Sequence, residues 1–232
     1  MSLVDKVLPF RPTNAVARLG QGSPLPLLNP RDLLKALRNR ECAVLCVPVT
    51  ARFALGGLFR AARDQDAVLG LSCPYVPGDR NGPYRFFQAT REAGDETQHR
   101  RPFFLQGGPL RLAPNDAEAL QPFTDTVFRF VDAGFSLLSV DASRLSLEAN
   151  IRACAEITQL AVERELSIEV AAPQVGDGRT SADEVGAFLE GLKGKLCTLI
   201  LWLVKQKFVT ENKKLTNCSF IILPRKEKPF SV

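Results

Sequence analysis

The sequence predicts an α/β fold built on a parallel sheet, and three observations predict it. Strand-like and helix-like segments alternate from residue 29 to residue 192. The strand candidates are nearly continuous apolar runs, such as FSLLSV at 135–140, as expected of strands covered on both faces. The stretch from Val131 to Gly178 reads as a complete strand–helix–strand unit, with a connection long enough for a right-handed crossover and too long for a hairpin.

In chain order, residues 1–28 are rich in Pro, Gly and small residues and are expected to form an irregular lead-in. Asn29 and Pro30 make a helix start, because Asn caps and Pro at the first helical position loses no needed donor. That helix is expected to continue through Asp32 to Arg40. Ala43–Val49 reads as the first strand, Phe53–Asp64 as a helix and Ala67–Cys73 as the second strand. Pro74–Gly82 is a loop by its turn residues, and Tyr84–Ala93 is helical. Pro102–Gln106 reads as the third strand, and Asp116–Ala133 as a helix.

Phe135–Val140 is the fourth strand. Ser146 then offers an oxygen at a helix start, with Glu148 in the first turn, where a carboxylate suits the helix dipole. Leu147, Ile151, Cys154, Ala155, Thr158 and Val162 fall on one face. Ser167–Ala172 closes the unit as a fifth strand, and this places Asp141 and Glu169 at comparable depths near two parallel strand ends. Ser181–Leu192 is a further crossover helix.

Charge divides the chain. Residues 1–195 hold 19 Arg, 4 Lys and 23 acidic residues, a net charge of zero, whereas residues 196–232 hold 6 Lys, 1 Arg and 2 acidic residues. All the excess positive charge therefore lies in the last 37 residues, and the pI near 9.0 argues for no nucleic-acid partner in the body. Three regions follow: a lead-in at 1–28, a βα region at 29–195 and a divergent basic tail at 196–232, as if the chain leaves its ancestral sequence near Lys195. Leu196–Val204 is too short to cross a bilayer, which takes about 20 apolar residues, and reads as a buried strand.

The six cysteines contain no CxxC pair and mostly sit in apolar runs, so a disulfide framework is not expected. With no cleavable signal pattern, a cytoplasmic location and no membrane association are the expectation. The lone histidine, His99, lies in the polar run GDETQHRR, and a loop position is expected for it rather than a metal-ligand role.

Periodicity alone fits an open doubly wound sheet and a barrel equally. No GxGxxG or GxxxxGK[ST] follows any strand, so the phosphate cradle of a nucleotide-binding fold is missing. The segment AGFSLLSVDASRLSLEANI has a strand ending in Asp141, Ala142 and Ser143, then Leu and Glu-x-Asn-Ile. SIEVAAPQVGDG follows as a strand and glycine-containing loop. Upstream lies NPRDLLKALRNRECAVLCVPV, and downstream RTSADEVGAFLEGL.

From about Pro30 to Leu192 this order resembles the class II, metal-dependent fructose-bisphosphate and tagatose-bisphosphate aldolases. The resemblance implies a TIM (β/α)8-type barrel, incomplete here, with five to six βα units recognisable. A closed barrel usually needs about 250 residues.

The resemblance also implies reversible aldol cleavage of a ketose bisphosphate, with zinc polarising a carbonyl and stabilising an enediolate. Four departures bear on that. Leu105, Gln106, Gly107 and Gly108 stand where the family has Leu-Asp-His-Gly, whose Asp handles the proton and whose His binds zinc. Gln106 is neither acid nor base, and Gly107 has no ligand atom. The second carboxylate of the fifth strand falls on Ala171. The family's two later histidines fall downstream, where this sequence has none.

The expectation is therefore an aldolase-like protein, inactive in metal-dependent cleavage, with no metal ligands and no cofactor, and with a sugar phosphate as ligand. Asp141 and Glu169 are the candidate catalytic contacts; Ser72, Gln106, Gly107, Gly108 and Ser143 are the candidate substrate contacts. The competing role for each is structural, holding loop backbones through hydrogen bonds. The competing function is a non-catalytic interaction or regulatory subunit. A minor alternative is a Schiff-base aldolase using Lys205, which follows the apolar run LILWLV. A barrel cut after five or six units leaves an open edge, which Leu196–Val204 and Cys218–Leu223 are placed to cover, or which a homo-oligomer would bury.

Overall fold

A computed structural model describes residues 3–37, 43–113, 121–171 and 182–193, with the backbone of short strands at 199–202, 209–210, 213–214 and 219–222. The lead-in departs from expectation. Helix α1 (Leu3–Val7), a 3-10 turn (Leu8–Phe10) and α2 (Thr13–Leu19) occupy it, and Ala15, Leu19, Leu25, Leu27 and Leu28 are buried. Helices this short are marginal alone, so packing rather than propensity holds them. Arg11 closes the segment by donating to the carbonyls of Leu8, Ser23 and Gln21.

Helix α3 (Pro30–Leu37) starts as expected, with Asn29 Oδ1 accepting from Arg31 N at 2.9 Å. Then come β1 (Ala43–Pro48), α4 (Ala54–Asp64), β2 (Leu69–Cys73), α5 (Gly82–Glu96) and β3 (Phe103–Arg111). They are followed by α6 (Gln121–Asp132), β4 (Leu137–Asp141), α7 (Leu147–Val162), β5 (Ser167–Ala171) and α8 (Ala182–Leu192). Ser146 caps α7 by accepting from Ala149 N at 3.3 Å. Two elements of the basic tail join the same sheet: β6 (Leu199–Trp202) and, after a two-residue ladder of β7 (Val209–Thr210) with β8 (Lys213–Lys214), β9 (Ser219–Ile222).

The sheet order is β6-β5-β4-β3-β2-β1-β9. Strands β1 to β6 are mutually parallel, while β9 runs antiparallel to β1. The two ends of the sheet, β6 and β9, approach each other, but no hydrogen-bonded ladder joins them among the described residues, where the barrel wall does not close. An antiparallel strand thus stands beside β1, where a closed (β/α)8 barrel has its eighth parallel strand.

Alternation along each strand separates two faces. Leu69, Leu71, Phe103, Leu105, Leu138, Val140, Ile168 and Val170 face the helices and form one cluster with Phe59, Phe130, Ile157 and Phe188. On the other face, Val44, Cys46, Phe104 and Leu137 form a second cluster with Leu28 and Leu33, against which Val7, Leu34 and Leu37 pack. Helices α1 and α3 therefore plug the end of the barrel where the strands begin. No helix among the described residues is long and apolar enough to cross a membrane.

Candidate functional site

The polar residues of the inner face sit above that plug. Ser139 of β4 is in register with Glu169 of β5, and Gln106 of β3 with Ser72 of β2. Glu169 is only 2% exposed, and its carboxyl accepts from Gln106 Nε2 and is also bonded by the Ser139 side chain. The other end of the Gln106 amide accepts from Cys46 Sγ of β1 at 2.7 Å. A chain of four side chains thus crosses the barrel interior. Burial pushes the Glu169 carboxyl up to about 7, against the two hydrogen bonds that favour its charged form.

The mouth lies one layer higher. Since Val140 pairs with Val170, Asp141 stands level with Ala171, two residues above Glu169, or roughly 6–7 Å along the strand. The two acids are therefore not at comparable depths, contrary to the sequence expectation. Asp141 Oδ1 accepts from both Ser143 Oγ (2.6 Å) and Ser143 N (3.2 Å), and Asp141 Oδ2 lies 3.6 Å from Arg111 Nε. Asp141 and Ser143 come together at the strand end. They do so largely to hold the β4–α7 loop.

Ser72 Oγ donates to Gly108 O at 3.4 Å, joining β2 to β3. Gln106, Gly107 and Gly108, candidate substrate contacts in the sequence, lie within β3, which runs on past the expected strand end at Gln106. Gly107 faces outward: a Cβ there would meet Phe130 Cδ1 at 2.4 Å. Gly108 has φ +107 and a Cβ there would meet Ser139 O at 2.6 Å, in keeping with a backbone that only glycine adopts readily. Gly107 leaves room for the Phe130 ring, and Gly108 for the neighbouring backbone of β4. Of the candidate substrate residues, Ser143, Gln106 and Ser72 line the inner side; Gly107 does not.

Three further residues belong to the inner face, and a fourth, Asn150, lies on the helix side of the sheet. Ser139 was detectable, because it precedes Asp141 by two and strand alternation puts both on one side. Cys46 had no sequence signal linking it to Gln106. Arg111 was missed because the third strand was expected to end at Gln106. Asn150 of α7 donates to Ala171 O at 3.3 Å and accepts from Cys154 Sγ at 3.1 Å. Burial, with Asp141 adding to it, pushes the Cys154 thiol up to about 12, so it remains a donor at neutral pH.

The zinc of the resembled family does not fit these residues. His99, the single histidine of the sequence, is 1% exposed on the helix side of the sheet, its ring 4.4 Å from that of Phe59 and 5.7 Å from that of Phe103. The polar run around it predicted a loop position, but not this burial. Neither ring nitrogen has a well-formed hydrogen bond, and burial pulls the imidazole down to about 4, outweighing the backbone groups of Arg101 and Phe59 that favour its charged form. Among the described residues no group of three or more His, Cys, Asp and Glu side chains is arranged to hold a metal. Lys205, the candidate Schiff-base residue, lies outside the described residues.

No protein-family model matches the sequence, and no curated protein matches it. Solved structures do. The chain is similar to a fructose-bisphosphate aldolase from Campylobacter jejuni, with a TM-score of 0.58 and 15% identity over 81% of this chain and 60% of that one. It is also similar to the YdjI aldolase from Escherichia coli K12, with a TM-score of 0.53 and 18% identity over 71% of this chain and 56% of that one. At these identities the likeness establishes the fold, an α/β arrangement shared with aldolase barrels. The chain spans about 60% of the length of the Campylobacter aldolase.

Proposed function

We propose that this chain is an aldolase-like barrel of class II ancestry that does not carry out metal-dependent aldol cleavage. The burial of Glu169, with its carboxyl engaged by Gln106 and Ser139, is the observation that carries this reading. A carboxyl held there reaches neither a metal nor a ligand in the mouth. The single histidine supports the same reading, because zinc chemistry needs several protein ligands in fixed geometry and this one lies across the sheet. Metal analysis combined with a coupled assay on fructose 1,6-bisphosphate tests it. The expected result is neither stoichiometric zinc nor turnover; both together would overturn the reading.

A second reading, binding of a sugar phosphate without turnover, is favoured by Arg111. Its side chain is 74% exposed beside Asp141 and Ser143, so a guanidinium stands at the mouth with a hydroxyl nearby. Calorimetry with a ketose bisphosphate should then show salt-sensitive binding that Arg111→Ala weakens. Heat changes identical in the two proteins would remove it. An interaction or regulatory role rests instead on the outer edges of β6 and β9, which have no hydrogen-bonded partner strand among the described residues. Size-exclusion chromatography showing a concentration-independent monomer would count against a homo-oligomer formed there. A cytoplasmic location fits the buried thiols of Cys73 and Cys154.

A further inference from the structure

Arg129 of α6 stands apart from the other arginines. Among the described residues, Arg11, Arg31, Arg101 and Arg129 are the arginines withdrawn in part from solvent. The first three are paired: Arg11 with three backbone carbonyls, Arg31 with Asp32 and Arg101 with Asp66. The Arg129 side chain has no hydrogen-bond or ion-pair partner among the described residues. Taking a charge out of water without pairing it costs free energy, and an anion brought to a half-buried guanidinium recovers that cost through charge-assisted hydrogen bonds.

The side chain lines a cleft of about 30 Å3 between the β2–α5 loop and α6, together with Tyr75, Val76, Pro83, Thr126 and Phe130. Asp79 is the one acidic residue in the lining, and its carboxylate lies 2.6 Å from the Arg85 guanidinium. Asp125, one turn back on α6, is engaged elsewhere. The cleft therefore keeps one uncompensated positive charge against walls that are mostly aromatic, aliphatic and proline. Phe130 belongs to the helix-facing cluster, so the sheet stands between this cleft and the barrel interior, and nothing here depends on Arg111 at the mouth. The geometry points to an oxyanion site at Arg129, which takes the carboxylate or phosphate group of a small ligand and rests the apolar part of that ligand on Tyr75 and Val76. The volume admits such a head group but not a whole sugar. The planar guanidinium fork suits either anion.

Titration of the 15N-arginine-labelled full chain tests the site through its Nε–Hε resonances, with Arg129 assigned from Arg129→Lys and Arg111 from Arg111→Ala. Benzoate and inorganic phosphate are added separately at constant ionic strength, with chloride as the control. One or both should move the Arg129 resonance along a saturable curve that chloride does not reproduce, and the tighter of the two identifies the head group. Calorimetry with that anion should show binding weakened about tenfold or more in Arg129→Gln. A response that never saturates, that chloride matches, or that is confined to Arg111 would overturn the inference, the last by sending the anion to the barrel mouth. If Arg129→Gln fails to fold, Val76→Asp places a repelling carboxylate at the exposed rim of the cleft and should weaken the same binding. An affinity unchanged in that variant would equally remove the site.

Discussion

The two faces of the sheet solve burial in opposite ways. The helix-facing side excludes water with Phe59, Phe103, Leu105, Phe130 and Phe135, and a histidine buried there, His99, is held neutral between aromatic rings. The inner side buries a carboxyl, an amide, a hydroxyl and a thiol in one hydrogen-bonded chain. Apolar burial contributes stability in proportion to area. A buried polar chain contributes mainly when every member is satisfied, and its value changes with protonation.

The largest expected effect lies on the apolar side. Phe59→Ala removes a side chain with 0% exposure that meets both His99 and Phe103, and should cost about 3–5 kcal/mol in chemical denaturation. A cost below 1 kcal/mol would mean that this layer is not close-packed.

The inner side should answer to pH instead. The folded-state value of Glu169 is raised from 4.5 to about 7, so its contribution is full below the unfolded value and is lost as pH rises through about 7. Glu169→Gln should therefore gain stability relative to wild type as pH rises from 5 to 8, by up to about 3 kcal/mol for 2.5 pH units. His99 has the opposite sign. Its folded value is lowered from 6.5 to about 4, so stability is full above the unfolded value and falls as pH drops towards 4.

Between roughly pH 4.5 and 6.5 the two slopes oppose each other and the wild-type profile should be nearly flat. His99→Leu should uncover a stability that falls with pH across that window, and Glu169→Gln one that rises. Parallel profiles for the two variants would break the comparison. A smaller effect is expected at a glycine on the apolar side: Gly107→Ala forces a methyl against Phe130, an overpacking cost of about 1–3 kcal/mol by denaturation.

Much of the architecture is legible in the sequence because it is local. The unit from Leu137 to Ala171, with Ser146 capping and one apolar helix face, needs no information from elsewhere in the chain. The lead-in is not legible, because α1 and α2 are too short to announce themselves and depend on contacts with the barrel. The length of β3 is hidden by Gln106-Gly107-Gly108-Pro109, which carries turn composition but forms strand, with ladders to β2 and β4 on its two sides and a register shift before Leu110. The site is less legible than the fold. Gln106 and Glu169 lie 63 residues apart, and only the register of β3, β4 and β5 reveals that they meet. His99 is buried although its neighbours in sequence are polar, because the chain turns inward between α5 and β3.

Asn29 joins parts of the molecule that the sequence keeps far apart. Besides capping α3, its amide donates to Glu165 O at 2.8 Å and accepts from Ser167 Oγ at 2.5 Å, across 136 and 138 positions. The parallel ladders from β1 to β5 each join successive strands, so they close far shorter loops. Contacts of long sequence separation carry a larger loop-closure entropy than those between successive strands and are rewarded later during folding. The Asn29 tie is therefore a clasp fastened after the ladders from β1 to β5 have formed. Its loss in Asn29→Ala should speed unfolding and leave the refolding rate nearly unchanged in stopped-flow measurements.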